Sequence, residues 1–372
     1  MNCFICNETL TEINASDEHI ILNSLGGHLH SKNLLCKKCN NKLGNQADAA
    51  LAETLKFAAS QLNVKRCRGE NQIIRTNEKE KYDLAPRYKP VLKQPETKVD
   101  KLADGKVEIK INARNTQETR KILKSLQKQY PALDIEKAMM KAQRTQTFCG
   151  SPIRVTLPFY GKRIFPSIAK TAVEFYLLKG GNREEIKHLI PWLQGKEEKR
   201  ACWFYYPEIS VIPFDKKEIC HVICVVGDAD KKLLYGYVDF FGILQCLILL
   251  NDQYSGGNYC ESYVYDVNEV KKLEKNPILC LDRDEIQRIL LGNEISWADG
   301  LKQQLILFQQ KSGEIIKERI LKDMWNRVMD NFLRKYPEDT LLSEEMLVEM
   351  VDEMEKEIIP WYVSRICEVD LY

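Results

Sequence analysis

The chain lacks any apolar run long enough to span a bilayer. Its most hydrophobic stretch, Phe240 to Leu250, is short and is interrupted by Gln245. It also lacks an internal repeat and a P-loop; Gly26-Gly27 is a turn signal rather than a phosphate cradle. An excess of one charge is missing too. Fifty-five Lys and Arg face 53 Asp and Glu, a net of +2, so the average selects no partner. With Cys3 already placed in a candidate site, no room is left for a cleavable signal, and a cytoplasmic protein is expected.

What is present is an ordinary globular composition, 44% hydrophobic, in 372 residues, enough for two or three domains. The thirteen cysteines are odd in number and scattered, as in a reducing compartment with free thiols. Cys220 and Cys224 lie in an apolar, strand-like segment with no second pair nearby, and read as core.

Charge is unevenly distributed. Residues 63–150 hold 21 Lys and Arg against 11 Asp and Glu, whereas residues 301–372 hold 10 against 15. The basic stretch suits a polyanion, and a solvated lysine-rich connector explains it equally well.

The exception to the scattered cysteines lies at the start. Cys3-Phe-Ile-Cys6 and Cys36-Lys-Lys-Cys39 are two CxxC turns separated by 29 residues. Each turn delivers two sulfurs to one ion, and two turns complete a tetrahedral four-cysteine zinc site. Such a site is closed, so this zinc holds the fold.

Between and beside the turns stand Glu18-His19, Asn33 and Asn40. Phosphodiester hydrolysis needs a base for water and a hard cation for the phosphate charge. His19 is the natural base, since imidazole titrates near neutrality. Glu18 and Asn40 offer oxygens that suit Mg²⁺ or Mn²⁺. Neighbours on a strand point to opposite sides, so both members of Glu18-His19 reach one phosphate only if the chain bends or one acts through water. His28 and His30 read as exposed loop histidines. Asp48 reads as a cap or a supporting group rather than a ligand.

The residues Cys3/Cys6, Glu18-His19-Ile20-Ile21, Leu25-Gly26-Gly27, Asn33-Leu34-Leu35-Cys36 and Cys39-Asn40 resemble the HNH, or ββα-metal, endonucleases. The branch is the zinc-knuckle one, similar to phage endonuclease VII. The resemblance implies His19 as general base and Glu18 and Asn40 as ligands of the catalytic metal. It implies Asn33 as the asparagine that pins the loop, and it supplies the bent backbone. It covers about 60 residues. The remainder resembles C-terminal regions attached to HNH modules in uncharacterised bacterial proteins, many of which look like anti-phage or mobile-element nucleases.

The expected fold class is α+β. Residues 1–62 form the nuclease module, which ends in an alanine-rich helix with Leu51, Leu55, Ala58 and Leu62 on one face. Residues 63–150 form a basic connector with a small α/β segment: residues 63–100, with Pro86, Pro90 and Pro95, read as a linker or extended arm, followed by a strand at Lys106–Ile111 and a helix from Asn115 to Tyr130. Residues 151–300 form an α+β domain. It has a strand at Ile153–Leu157, a helix at Pro166–Leu178, and antiparallel strands over Ile219–Val226 and Leu233–Leu250, with bends at Gly236 and Gly242. Residues 301–372 are helical, with one apolar stripe at Ile316, Ile320, Met324, Val328 and Phe332 and another at Leu347, Val351, Met354 and Ile358. The expected function is metal-dependent cleavage of nucleic acid, DNA in the first place, with anti-phage defence as its setting. The expected cofactors are structural Zn²⁺ and catalytic Mg²⁺ or Mn²⁺. The acidic helical end offers a surface for a homodimer, which a solvated face explains as well, and a third reading makes the C-terminal 220 residues a ligand sensor or docking domain for a regulatory partner that gates the nuclease. The alternative is a zinc-knuckle nucleic-acid-binding adaptor without turnover.

Overall fold

A computed structural model describes residues 1–102, 107–143, 153–159, 161–215, 217–292, 297–336 and 340–369. The fold class is α+β. In chain order the N-terminal elements are β1 (Glu18–His19), β2 (His30–Ser31), α1 (Lys37–Leu43), a π-turn at Gly44–Asp48, and α2 (Ala49–Leu62). Next come β3 (Tyr82–Ala85), β4 (Lys89–Leu92), β5 (Glu96–Lys101), β6 (Val107–Asn112), α3 (Thr116–Gln127) and α4 (Ile135–Met140). The larger domain has α5 (Phe165–Leu178), α6 (Arg183–Ile186), α7 (Ile190–Leu193), β7 (Cys202–Phe204), β8 (Cys220–Asp228), β9 (Leu233–Phe240), β10 (Leu244–Asn251), β11 (Tyr259–Asp266), β12 (Lys271–Leu273) and α8 (Arg283–Leu291). Two long helices follow, α9 (Trp297–Lys335) and α10 (Glu344–Val369).

Two compact units result. One holds residues 1–72 and 157–319, the other residues 73–156 and 320–372. The zinc-knuckle segment therefore shares a unit with the large sheet, and the basic segment shares one with the end of the chain.

In the first unit, six antiparallel strands run in the order β12-β11-β8-β9-β10-β7. The central strand β9 is buried along its whole length, so both faces of the sheet are covered. On one face α8 brings Ile286, Ile289 and Leu290 onto Leu233, Tyr235 and Leu247. On the other lies α5, whose apolar stripe of Ile168, Ala172 and Phe175 is fully buried. Gly236 sits mid-strand rather than at a bend. A Cβ there would come within 3.3 Å of the Ala172 Cβ, so the glycine lets α5 approach the sheet. Gly242 does make the β9–β10 turn, at φ 71°.

The nuclease-like segment docks on this same α5 face. The Thr171 hydroxyl donates to the Ile20 carbonyl at 3.0 Å and Arg183 Nε to the Phe4 carbonyl at 2.8 Å. Helix α2 buries Leu51, Leu55, Ala58 and Leu62, the expected stripe.

In the second unit the expected strand at 106–111 is β6, paired with β5; its first residue, Lys106, lies outside the described residues. The expected helix is α3, capped by the Asn115 side chain, which accepts from the Glu118 N–H. The proline-bearing stretch is more ordered than a linker: β3 and β4 form a hairpin. Residues 153–157 form no strand. The Arg154 N–H donates to the Glu80 carboxylate instead of a ladder partner. Stripe residues Met324, Val328 and Phe332 of α9 are buried, while Leu347 and Val351 of α10 are exposed.

Candidate active site

The four cysteines of the two turns converge, their sulfurs all within 4.8 Å of one another. Cys6 and Cys36 Sγ lie 3.9 Å apart. A tetrahedron with zinc–sulfur bonds of about 2.3 Å has edges of about 3.8 Å, so the site fits zinc. Cys36 also caps α1, its sulfur facing the Cys39 N–H at 3.5 Å. Burial opposes a Cys3 thiolate, yet the backbone N–H groups of Cys6, Cys36 and Ile5 bring its pKa below the ordinary value. Burial, with the neighbouring thiols, pushes Cys39 up, so four thiolates coexist only around a cation.

The cluster fixes the hairpin. The β1–β2 ladder pairs Glu18 with Ser31 and His19 with His30. Between the strands Gly26 takes φ 82°, and a Cβ on Gly27 would lie 1.9 Å from the Ile21 carbonyl oxygen. Two glycines are thus required where the loop folds back on itself.

Glu18 and His19 face opposite ways. His19 is half-buried and stacks on His30, centroids 5.4 Å apart. Its Nε2 is buried and has no hydrogen-bond partner among the described residues. Burial lowers its pKa, and the nearby His30 and Arg68 lower it further against the pull of Asp17. Burial therefore favours the neutral imidazole over its charged form. His30 Nδ1 lies 2.8 Å from Asp17 Oδ1, and both side chains are about half exposed. His30 is thus not a free loop histidine but one member of an oriented pair. The adjacency of Asp17 to Glu18-His19 is the signal in the sequence that could have found it.

Glu18 is only 4% exposed, and its carboxylate lies 2.8 Å from the Lys170 ammonium of α5. Lys170 also lies 2.6 Å from Asp48, which accepts a hydrogen bond from the Ser167 hydroxyl. Burial pushes the Glu18 carboxyl up while Lys170 pulls it back. Asp48 makes no side-chain cap of α2 and is instead the supporting group, the second carboxylate on the Lys170 ammonium beside Glu18. Asn40 donates its amide to Ser16 Oγ at 2.7 Å. A divalent ion on Glu18 would share that carboxylate with an ammonium, a like-charge neighbour away from water. The expected Glu18–Asn40 metal pair does not fit this arrangement.

Asn33 is exposed, and its backbone N–H donates to Ser31 Oγ at 3.1 Å. The side chain that ties the loop is Asn23, which accepts from the Cys67 N–H at 2.8 Å and donates to the Arg68 carbonyl at 3.0 Å.

Residues 3–56 match the HNH endonuclease family. The match takes in the four-cysteine cluster, the hairpin, α1 and the start of α2, and it supports a nuclease module in this segment. No curated protein and no solved structure matches the chain. Among the described residues, no helix is long and apolar enough to cross a membrane.

Proposed function

We propose that this protein is a metal-dependent endonuclease that hydrolyses phosphodiesters in DNA, in the zinc-knuckle branch similar to phage endonuclease VII. The observation that carries this reading is His19. It lies inside the segment matched to HNH endonucleases, beside the four-cysteine cluster, and its Nε2 has no partner among the described residues.

In the proposed reaction His19 accepts a proton from water as the water oxygen attacks phosphorus. The 3′-oxygen leaves and the product carries a 5′-phosphate, as the resemblance implies. The Asp17–His30 pair stacks against the base and holds its ring plane. Mg²⁺ or Mn²⁺, when bound, supplies positive charge at the phosphate. Of the two ligands the resemblance implies, Asn40 keeps its Oδ1 uncommitted among the described residues.

DNA as substrate is supported by the lysine-rich 63–150 segment, and binding should weaken steeply with salt. A role in anti-phage defence rests on the resemblance of residues 151–372 alone. A cytoplasmic setting agrees with the free cysteines.

Supercoiled plasmid incubated with Mg²⁺, Mn²⁺ or EDTA tests the reading. Metal-dependent nicking that is lost in His19→Ala supports it. Nicking that persists in His19→Ala overturns the assignment of the base.

One observation favours the adaptor instead: Glu18 is tied to Lys170. An adaptor would bind DNA in EDTA as well as in Mg²⁺ and leave the plasmid intact under every metal.

A further inference from the structure

Lys170 is 1% exposed and sits among the fully buried Ile168, Ala169 and Ala172 of α5. Lysine is among the residues least often buried, so a fully buried one requires compensation. Here the compensation comes from three elements. Glu18 of β1 and Asp48 at the end of the π-turn both contact the ammonium. Glu174, one turn further along α5, shares its face at i,i+4 spacing.

Glu174 is the odd member. It is 0% exposed, and both of its carboxyl oxygens are buried without a hydrogen-bond partner among the described residues. It senses Lys170, Glu18 and Asp48 electrostatically, so it belongs to the same cluster. Two carboxylates thus contact the ammonium and a third carboxyl, Glu174, lies within its field; all three offer hard oxygens of the kind a divalent cation takes. A single positive charge faces two contacting carboxylates, and burial pushes the pKa of Glu174 well above the ordinary carboxyl value.

We infer that Lys170 is the resident cation of this Glu18–Asp48–Glu174 site. It holds the site closed to divalent metal ions, so that any metal the nuclease uses is bound without Glu18. The inference rests on the nuclease reading only in giving Glu18 a rival role. The ammonium also fastens the zinc-knuckle segment to the sheet-bearing half of its unit. Withdrawing it would strip two buried carboxylates of their partner, which is costly in a dry site.

The test uses the full chain, zinc-loaded, and reads Mn²⁺ binding by the loss of the free-ion EPR signal. Wild type, Glu18→Gln, Lys170→Met and the Lys170→Met/Glu18→Gln double variant are compared, with melting temperatures measured with and without Mn²⁺. Glu18→Gln is expected to bind Mn²⁺ as wild type does, including the case in which neither binds any. Lys170→Met is expected to bind an additional Mn²⁺ and to gain thermal stability from it, both effects disappearing in the double variant. A Glu18→Gln chain that loses Mn²⁺ binding overturns the inference, as does a folded Lys170→Met chain that gains none. If Lys170→Met fails to fold, rescue of its folding by Mn²⁺ supports the inference and a failure of Mn²⁺ to rescue it overturns it. Cleavage is not read, so a failed nuclease assay bears on the proposed function alone.

Discussion

His221 of β8 donates its Nε2 proton to the backbone carbonyl of Leu25, 2.8 Å away, joining the large sheet to the glycine loop of the zinc-knuckle segment. The ring is 0% exposed, its Nδ1 has no partner among the described residues, and Phe241 packs edge-on against it at 4.4 Å. Burial lowers its pKa to about 4, against a small opposing pull from the Leu25 carbonyl.

This contact predicts acid lability. The unfolded chain binds a proton at His221 below about pH 6.5, whereas the folded chain does so only below about 4. Stability is therefore full above the upper value and falls as the pH drops through that window. Each pKa unit is worth about 1.4 kcal/mol, so the loss reaches about 3 kcal/mol. Urea unfolding of wild type and His221→Gln at a series of pH values checks it. The variant should lose the His221 share of the acid-side slope, about 3 kcal/mol, and keep the part that the other buried histidines and carboxyls contribute. An equally steep loss in the variant would assign the effect elsewhere.

Zinc removal should unfold the N-terminal segment. Cys36 contributes a sulfur and caps α1, so Cys36→Ser removes a ligand and a helix start together. Zinc measured with a chromogenic chelator should be absent from purified Cys36→Ser and present in Cys67→Ser, whose thiol lies outside the cluster. Limited proteolysis should then cut the Cys36→Ser chain within residues 1–62. Full zinc content in that variant would remove the four-cysteine assignment.

The zinc site was legible because its information is local: two CxxC spacings and a helix stripe in α2. Strands β8, β9 and β10 of the large sheet were legible for the same reason, as β-branched and aromatic runs, whereas β7, β11 and β12 were not read as strands. Lys170 was not. It is 152 residues from Glu18, and nothing in a stretch such as Ile168-Ala-Lys-Thr-Ala172 says which carboxylate it will meet. The available hint was a lysine and Glu174 set at i,i+4 inside an otherwise apolar helix face. His221 and Leu25, 196 residues apart, left no hint at all, since the acceptor is a backbone carbonyl. The segment 63–100 misled for another reason. Its prolines signal breaks, yet short hairpins tolerate Pro90 at a two-stranded edge.

Two glycine substitutions should rank by what the new methyl group meets. In Gly27→Ala the Cβ would stand 1.9 Å from the Ile21 carbonyl oxygen, which is backbone and must move. A loss above about 3 kcal/mol is expected, with the hairpin disturbed. In Gly236→Ala the nearest atoms, at 3.3 Å, are the Ala172 Cβ and the Cys224 carbonyl oxygen, so a small shift of α5 suffices at a cost of about 1–2 kcal/mol. Chemical denaturation of both variants gives the order, and a reversed order would mean that the loop yields more readily than the sheet.

The sharpest functional prediction separates two neighbouring histidines. His19 and His30 stack face to face across the β1–β2 ladder, but only His19 has a buried Nε2 without a partner among the described residues. His30 already spends Nδ1 on Asp17. His19→Ala should lower single-turnover cleavage by about 10²–10⁴-fold, the range of a lost general base. Zinc content and far-UV circular dichroism should stay unchanged. His30→Ala should lower it less, since His30 acts only through the ring it supports. Asp17→Asn should resemble His30→Ala rather than His19→Ala. A His30→Ala loss equal to or larger than that of His19→Ala would move the base to the Asp17–His30 pair, whose oriented imidazole is the competing candidate on the same face of the hairpin.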